Sequence, residues 1–253
     1  MRKVPKFVLP FAAFVGLLLA AHPAHRAHAA QDCADVALVL AVDSSASVSA
    51  GEFRLQKDGI ARAIRDPSVL DAVSRAGKVM VSVVFWGSED LPKPQSNWTV
   101  IDGPVSAGQF ARTVENMPRR VTGDTGLGAG ILAALEKLES SSVCSVRKII
   151  NVSGDGKETR AVRGKRRSWP PQQVRDMAQS LRVEINALAI SNEQQDLADY
   201  YSANVITGPD AFVMQVGDYA GFAAALQRKL IREISPRVMS ELSSPVSPAT
   251  PIP

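Results

Sequence analysis

The sequence predicts an α/β domain around a mostly parallel central sheet with helices on both faces. Three observations carry that prediction. Apolar, β-branched runs alternate with helix-like segments over roughly 200 residues, with no linker between them. The first run, Ala37 to Val42, is apolar throughout, as a strand buried on both faces must be. It ends on Asp43 and a hydroxyl-rich loop, Ser44-Ser45-Ala46-Ser47. Finally, Cys33 and Cys144 each stand just before an apolar run, and Asp43 and Asp155 follow them at nearly equal spacing. Adjacent parallel strands would put both cysteines at one end of the sheet and both aspartates at the other.

The first residues read as a leader, not as part of that domain. Arg2, Lys3 and Lys6 precede an apolar run from Phe7 to Ala21, and Ala27-His28-Ala29 is a small-x-small cleavage signature. This predicts a secretory signal peptide over residues 1–29, with an apolar core too short to span a bilayer comfortably. Gln31 and Asp32 before Cys33 argue against a lipid anchor. No later stretch is long and apolar enough to cross a membrane, so no stable insertion is expected after cleavage, and the protein is expected to be periplasmic or secreted. The leader takes with it all three histidines (His22, His25, His28) and four basic residues but no acidic one. The formal charge of +4 then falls to zero, so the basic balance belongs to the precursor and gives no reason to expect nucleic-acid binding. An exported chain favours a Cys33–Cys144 disulfide over two buried thiols.

The mature chain reads in order as follows. Ser49-Ala50-Gly51-Glu52 is a capping box that opens a helix to about Ile64, closed by Asp66-Pro67. Lys78 to Trp86 is a second strand, residues 87–95 a loop, and Trp98 to Ile101 a short third strand. Ser106 is expected to cap a helix carrying Phe110 and Val114. A polar loop ending Gly123-Asp124-Thr125-Gly126 precedes a helix over Leu127 to Leu138. A fourth strand, Val146 to Val152, runs into Ser153-Gly154-Asp155-Gly156. After a basic loop, Pro170-Pro171 opens a helix to Leu181. A fifth strand (Val183 to Ile190), a short helix (Gln194 to Tyr201), a sixth strand (Ala211 to Val216) and an amphipathic helix (Tyr219 to Ile234) complete the domain, taken as residues 30–235. Residues 236–253 are rich in Ser and Pro and read as a disordered tail.

Ligands of α/β sheets sit at the C-terminal strand ends. Three loops there carry oxygen atoms: Asp43, Ser45 and Ser47; Thr125; and Asp155. Carboxylate and hydroxyl oxygens suit a hard divalent cation. Ser49 is already the helix cap, so Ser45 and Ser47 are not needed for that role. Asp124 reads as a turn residue.

In these residues the chain resembles the von Willebrand factor A domain family and its metal-ion-dependent adhesion site. That site has Asp-x-Ser-x-Ser, then a Thr in a later loop, then an Asp after a further strand. Asp43-Ser44-Ser45-Ala46-Ser47, Thr125 and Asp155 match it in order, with Gly154 as a departure from the commoner Ser-Asp-Gly. The resemblance spans about Asp35 to Ile234 and is closest to an exported bacterial branch of the family. It implies a Rossmann-like fold and a site for Mg²⁺, or another divalent cation such as Mn²⁺ or Ca²⁺. It implies a binding module that captures a protein partner through an Asp or Glu carboxylate.

Without histidine the mature chain can build neither a Ser-His-Asp nor a Cys-His site, and no phosphate-binding loop or nucleophile elbow is present, so no enzyme activity is expected. The alternatives are a metal-dependent hydrolase and an adaptor with an inert site. The basic loop 157–169 carries Arg163, Lys165, Arg166 and Arg167. It reads either as a solvated insertion or as an electrostatic guide for an acidic partner, with Trp169 as an anchor or a packing residue.

Overall fold

The apolar run before Asp43 becomes the central strand β1 (Ala34–Asp43), every residue of which but Asp35 is buried. The computed structural model describes residues 33–140, 143–159 and 169–236. β1 is flanked on one side by β2 (Val79–Trp86) and on the other by β4 (Ser145–Gly154), both parallel to it. β3 (Thr99–Ile101) adds antiparallel beyond β2, and β5 (Val183–Ile190) and β6 (Val213–Val216) add in parallel beyond β4. The sheet order is β3-β2-β1-β4-β5-β6. Strand order therefore reverses at β1, and the crevice outside the C-terminal ends of β1 and β4 is where such sheets take ligands.

Cys33 and Cys144 form a disulfide with a Cα separation of 4.7 Å. It sits one step before the first paired residues of β1 and β4, Ala34 and Ser145. The same register runs to Val42 opposite Ser153, so Asp43 and Asp155 emerge at the other end of the sheet. The cysteine spacing thus reported strand register correctly.

The helices divide by sheet face. Val36, Leu38, Leu40 and Val42 of β1 point into a core with α1 (Ala50–Arg65), α2 (Pro67–Ala76), α3 (Pro104–Asn116) and α7 (Phe222–Ile234). Ala37, Val39 and Ala41 point into a second core with α4 (Leu127–Leu138), α5 (Pro171–Ser180) and α6 (Leu197–Asn204). Of this layer, α4 packs directly on β1. This is a Rossmann-like von Willebrand factor A fold.

Local chemistry explains where boundaries differ from expectation. The Ser49 capping box opens α1 as expected, with Glu52 N donating to Ser49 Oγ (3.2 Å) and Ser49 N to Glu52 Oε2 (2.8 Å). α2 was not anticipated, because Asp66-Pro67 ends α1. The same pair also begins a helix: Asp66 Oδ1 accepts from Ser68 N at 2.9 Å, and Pro67 stands where its missing N–H costs nothing. Ser106 is not the cap of α3 but lies in its first turn. Its Oγ reaches back to accept from Asp102 N (3.0 Å) and Gly103 N (3.3 Å). α7 starts at Phe222 instead of Tyr219, which leaves Tyr219 outside the helix.

Where α7 crosses the sheet, the core is polar. Lys229 Nζ donates to Glu233 Oε1 (2.5 Å) and Asn151 Nδ2 to Glu233 Oε2 (2.7 Å), and all three residues are buried. Burial pushes the Lys229 ammonium down to about 8 and pushes the Glu233 carboxyl up.

Candidate metal centre

The first site loop leaves β1 with nearly every backbone donor accounted for, which is what holds a short polar loop in one shape. Ser44 N donates to Trp86 O (2.7 Å), Ala46 N to Gly123 O (2.8 Å) and Val48 N to Ser45 O (3.2 Å). Ser45 N donates to Asp43 Oδ1 at 2.7 Å. Ser44 Oγ is buried against Trp86 O and Val121 O, both at 3.0 Å, and so belongs to the scaffold. Ser45 and Ser47 are turned the other way, with their hydroxyls 3.1 Å apart.

The third loop meets the first directly. Ser47 Oγ donates to Asp155 Oδ1 at 2.8 Å, and Tyr219 OH donates to Asp155 Oδ2 at 3.0 Å. Gly154, the departure from the family pattern, is the last residue of β4 and has no room for a side chain. A Cβ there would stand 2.7 Å from Tyr201 OH, 3.1 Å from Asp43 Oδ2 and 3.3 Å from Trp86 Cη2. The glycine lets the Asp43 carboxylate lie against the end of β4. Tyr201 OH is itself held by Gly156 O at 3.0 Å.

Thr125 arrives on the loop before α4. Its Oγ1 lies 3.3 Å from where a Cβ on Gly156 would be, which places it beside the Asp155 loop. The chain just after Asp155 grips it: Thr159 N donates to Thr125 O (2.9 Å) and Thr125 N to Thr159 Oγ1 (3.1 Å). Glu158 Oε2 accepts from Gly128 N at 2.8 Å, an anion at the start of α4 where helix donors are unsatisfied.

The electrostatics of this cluster favour a cation. Asp43 is fully buried, and its Oδ2 has no hydrogen-bond partner among the described residues. Burial, and next the negative charge of Asp155, push its carboxyl from 3.8 up to about 7. A buried carboxylate in that condition takes either a proton or a positive charge. Tyr201 and Tyr219 are pushed up by burial first and then by the same carboxylates, so both remain neutral hydroxyls. The donor set is two carboxylates and three hydroxyls. All five donors are oxygen atoms, which is the chemistry of hard cations, and among the described residues no group of three or more His, Cys, Asp or Glu gathers. The residues fit a divalent cation, with Asp43, Ser45, Ser47, Thr125 and Asp155 able to hold it.

The structure brings all five expected residues to one end of β1 and β4, and leaves Asp124 exposed in its turn. Arg163, Lys165, Arg166 and Arg167 lie outside the described residues, as do residues 1–29 and most of 236–253. The two ends of the basic stretch are described. Lys157 pairs with Asp196 (2.5 Å) and lies over the Tyr200 ring. Trp169 packs against the core beneath α4 instead of standing exposed, and its carbonyl abuts Gly128. Tyr219, Tyr201, Thr159 and Glu158 were not anticipated. Each acts through tertiary contact; the polar character of residues 157–159 next to Asp155 signalled Glu158 and Thr159, and nothing local signalled Tyr201 or Tyr219.

A family model described as "Protein of unknown function (DUF1194)" matches residues 32–238. No curated protein matches the chain in sequence. Among solved structures, it resembles proximal thread matrix protein 1 from the mussel byssus, with a TM-score of 0.57 and 17% identity over 79% of this chain and 48% of that one. A second structure of that protein, with a "zinc occupied MIDAS motif", gives 0.56 at the same identity, over 79% of this chain and 47% of that one. The pilus adhesin SpaC from Lactobacillus rhamnosus GG gives 0.56 at 15% identity, over 81% of this chain and 31% of that one. A von Willebrand factor type A protein from Catenulispora acidiphila gives 0.52 at 15%, over 80% and 43%. The chain spans less than half the length of these proteins, and at such identities the likeness is one of fold.

Proposed function

The chain belongs to the DUF1194 family, and we propose that it is an exported, divalent-cation-dependent protein-binding module. In this reading Asp43, Ser45, Ser47, Thr125 and Asp155 hold Mg²⁺ and the partner contributes an Asp or Glu carboxylate. The observation that carries the proposal is the buried Asp43 carboxylate, one oxygen of which has no hydrogen-bond partner among the described residues, placed beside four further oxygen-bearing side chains at the strand-order switch. Bound there, the cation supplies an electrophilic position for a partner's carboxylate. The chain's own residues do the rest. Ser45 and Ser47 offer hydroxyls that add no charge. Tyr219 and Ser47 hold Asp155 in place. Trp86, Val121 and Gly123 carbonyls keep the first loop from collapsing into the site.

A binding role, not catalysis, suits a mature chain with no histidine to move protons. Export is supported by the leader-like N-terminus and by the Cys33–Cys144 disulfide. The fold of adhesin and matrix-protein structures supports protein binding at the level of architecture. Arg163, Lys165, Arg166 and Arg167 enter only through their charge, which would speed the approach of an acidic partner. The test is retention of a partner from cell envelope by the immobilised protein. Retention in Mg²⁺ and release by chelator are expected. Retention that ignores the chelator contradicts the proposal, and a phosphatase or phosphodiesterase activity lost in Asp43→Ala would replace it with an enzyme.

A further inference from the structure

Arg119 is the residue that the geometry points to next. We infer that Arg119 is the positioning residue of the cation site, setting the Asp43–Val48 loop against the loop that carries Thr125. The inference rests on the metal-binding reading above.

One guanidinium nitrogen, Nη2, shares its two N–H groups among three backbone carbonyls of the first loop: Ser44 O (3.2 Å), Ser45 O (2.7 Å) and Val48 O. Three carbonyls converging on one nitrogen is how a loop wraps a cation. Here the cation is part of the chain. The guanidinium lies over the Phe53 ring (5.9 Å from its centroid), which is packed edge-on against Phe85 of β2. Its position is therefore set by the core. Arg119 stands six residues before Thr125, in the segment whose carbonyls at Val121 and Gly123 also accept from Ser44 and Ala46. That segment and the first loop are thus joined in both directions: the loop's N–H and O–H groups donate to 121–123, and Arg119 donates back to the loop's carbonyls. Holding the carbonyls of 44, 45 and 48 on the Arg119 side leaves the Ser45 and Ser47 hydroxyls on the other.

The neighbouring loop shows that an ammonium can do the same work. Lys93 Nζ donates to Ser88 O (3.0 Å), Glu89 O (3.0 Å) and Leu91 O (2.5 Å). A lysine at position 119 has the donors needed to hold three carbonyls.

Charge and geometry make opposite predictions here, which gives the test its sign. Removing a positive charge near a cation site should by Coulomb's law strengthen cation binding. Loss of binding on removal of Arg119 must then come through the loop. The experiment titrates Mn²⁺ alone, by electron paramagnetic resonance, into the purified wild type, Arg119→Gln, Arg119→Lys and Asp43→Ala. Arg119→Gln is expected to bind Mn²⁺ at least about tenfold more weakly, as is usual when the support of a ligand is removed, and Arg119→Lys to recover to within about threefold of wild type. In metal-free Arg119→Gln, amide exchange should quicken across residues 44–48 while that across 183–190 is unchanged. Equal or tighter Mn²⁺ binding by Arg119→Gln overturns the inference, as does failure of lysine to rescue. If Arg119→Gln does not fold, Arg119→Lys carries the test alone, and a loss beyond about tenfold refutes it. Wild type and Asp43→Ala binding Mn²⁺ alike would instead refute the metal site itself. In that case the exchange measurement still reads the loop.

Discussion

Gly154→Ala is the substitution that probes the site most locally. The added methyl would meet Tyr201 OH at 2.7 Å, closer than a Cβ tolerates, and the Asp43 carboxylate at 3.1 Å. Tyr201 is fully buried, so its ring has little freedom to retreat. Overpacking of this kind costs about 1–3 kcal/mol. Tyr201→Phe removes the clashing oxygen but also the hydrogen bond to Gly156 O, at about 1 kcal/mol. In the Tyr201→Phe background Gly154→Ala should then cost distinctly less than alone, with a coupling of about 1 kcal/mol or more between the two sites. Urea unfolding of the four proteins, with m compared across them, measures the cycle. Mg²⁺ binding should weaken in Gly154→Ala, because the methyl presses on the Asp43 carboxylate, and partly recover in the double variant, where removing the Tyr201 oxygen relieves the tightest contact and gives the backbone room to shift. Strict additivity, within about 0.3–0.5 kcal/mol, would refute the packing account of this glycine.

Other outcomes follow from the fold. Replacing both Cys33 and Cys144 by serine opens a loop whose ends are 111 residues apart, and chain entropy puts the loss at about 3–5 kcal/mol, read by denaturant midpoint. Lys229→Met leaves Glu233 buried without its cation and should destabilise by about 3–5 kcal/mol, whereas Lys229→Met with Glu233→Leu should recover part of that, Asn151 Nδ2 then losing its acceptor. Burial holds Lys229 near 8 against 10.5 for an ordinary lysine, so between those values the unfolded chain binds more protons and stability rises with pH. That rise should shrink in the double variant, where Lys93 and Lys137, which burial also lowers, still contribute, and thermal midpoints across this range check it. Gln56 is fully buried, and neither of its amide atoms has a partner among the described residues, so Gln56→Met should stabilise by about 1–2 kcal/mol in the same unfolding assay. Neutralising Arg163, Lys165, Arg166 and Arg167 should slow partner association and flatten its salt dependence in stopped-flow measurements, and an unchanged on-rate contradicts the steering role.

The strands and the five oxygen-bearing residues were legible because each is written locally. β1 was legible as a strand buried on both faces by its apolar run, and the strand Val183–Ile190 and the helix Leu127–Leu138 appear at their expected bounds, although β5 also buries the polar Glu184 and Asn186. The cysteine and aspartate spacings report register, since parallel neighbours advance together along the sheet. α2 was hidden because Asp66-Pro67 ends one helix and starts another with the same two residues. Tyr219 looked like a helix residue, as its apolar ring fits the periodicity of α7. Its hydroxyl instead reaches Asp155, a contact 64 residues distant in sequence. Arg119 looked like a loop charge, because nothing local tells that three carbonyls from 44, 45 and 48 converge on it. Residues that act by local pattern could be read from the chain. Those that support the site across long separations could not.

The central claim is that the strand-end oxygens hold a divalent cation. Calorimetric titration of Mg²⁺ into the wild type and into Asp43→Ala tests it most directly. The account predicts saturable one-site binding by the wild type and none by the variant. Equal heats from the two proteins would contradict it.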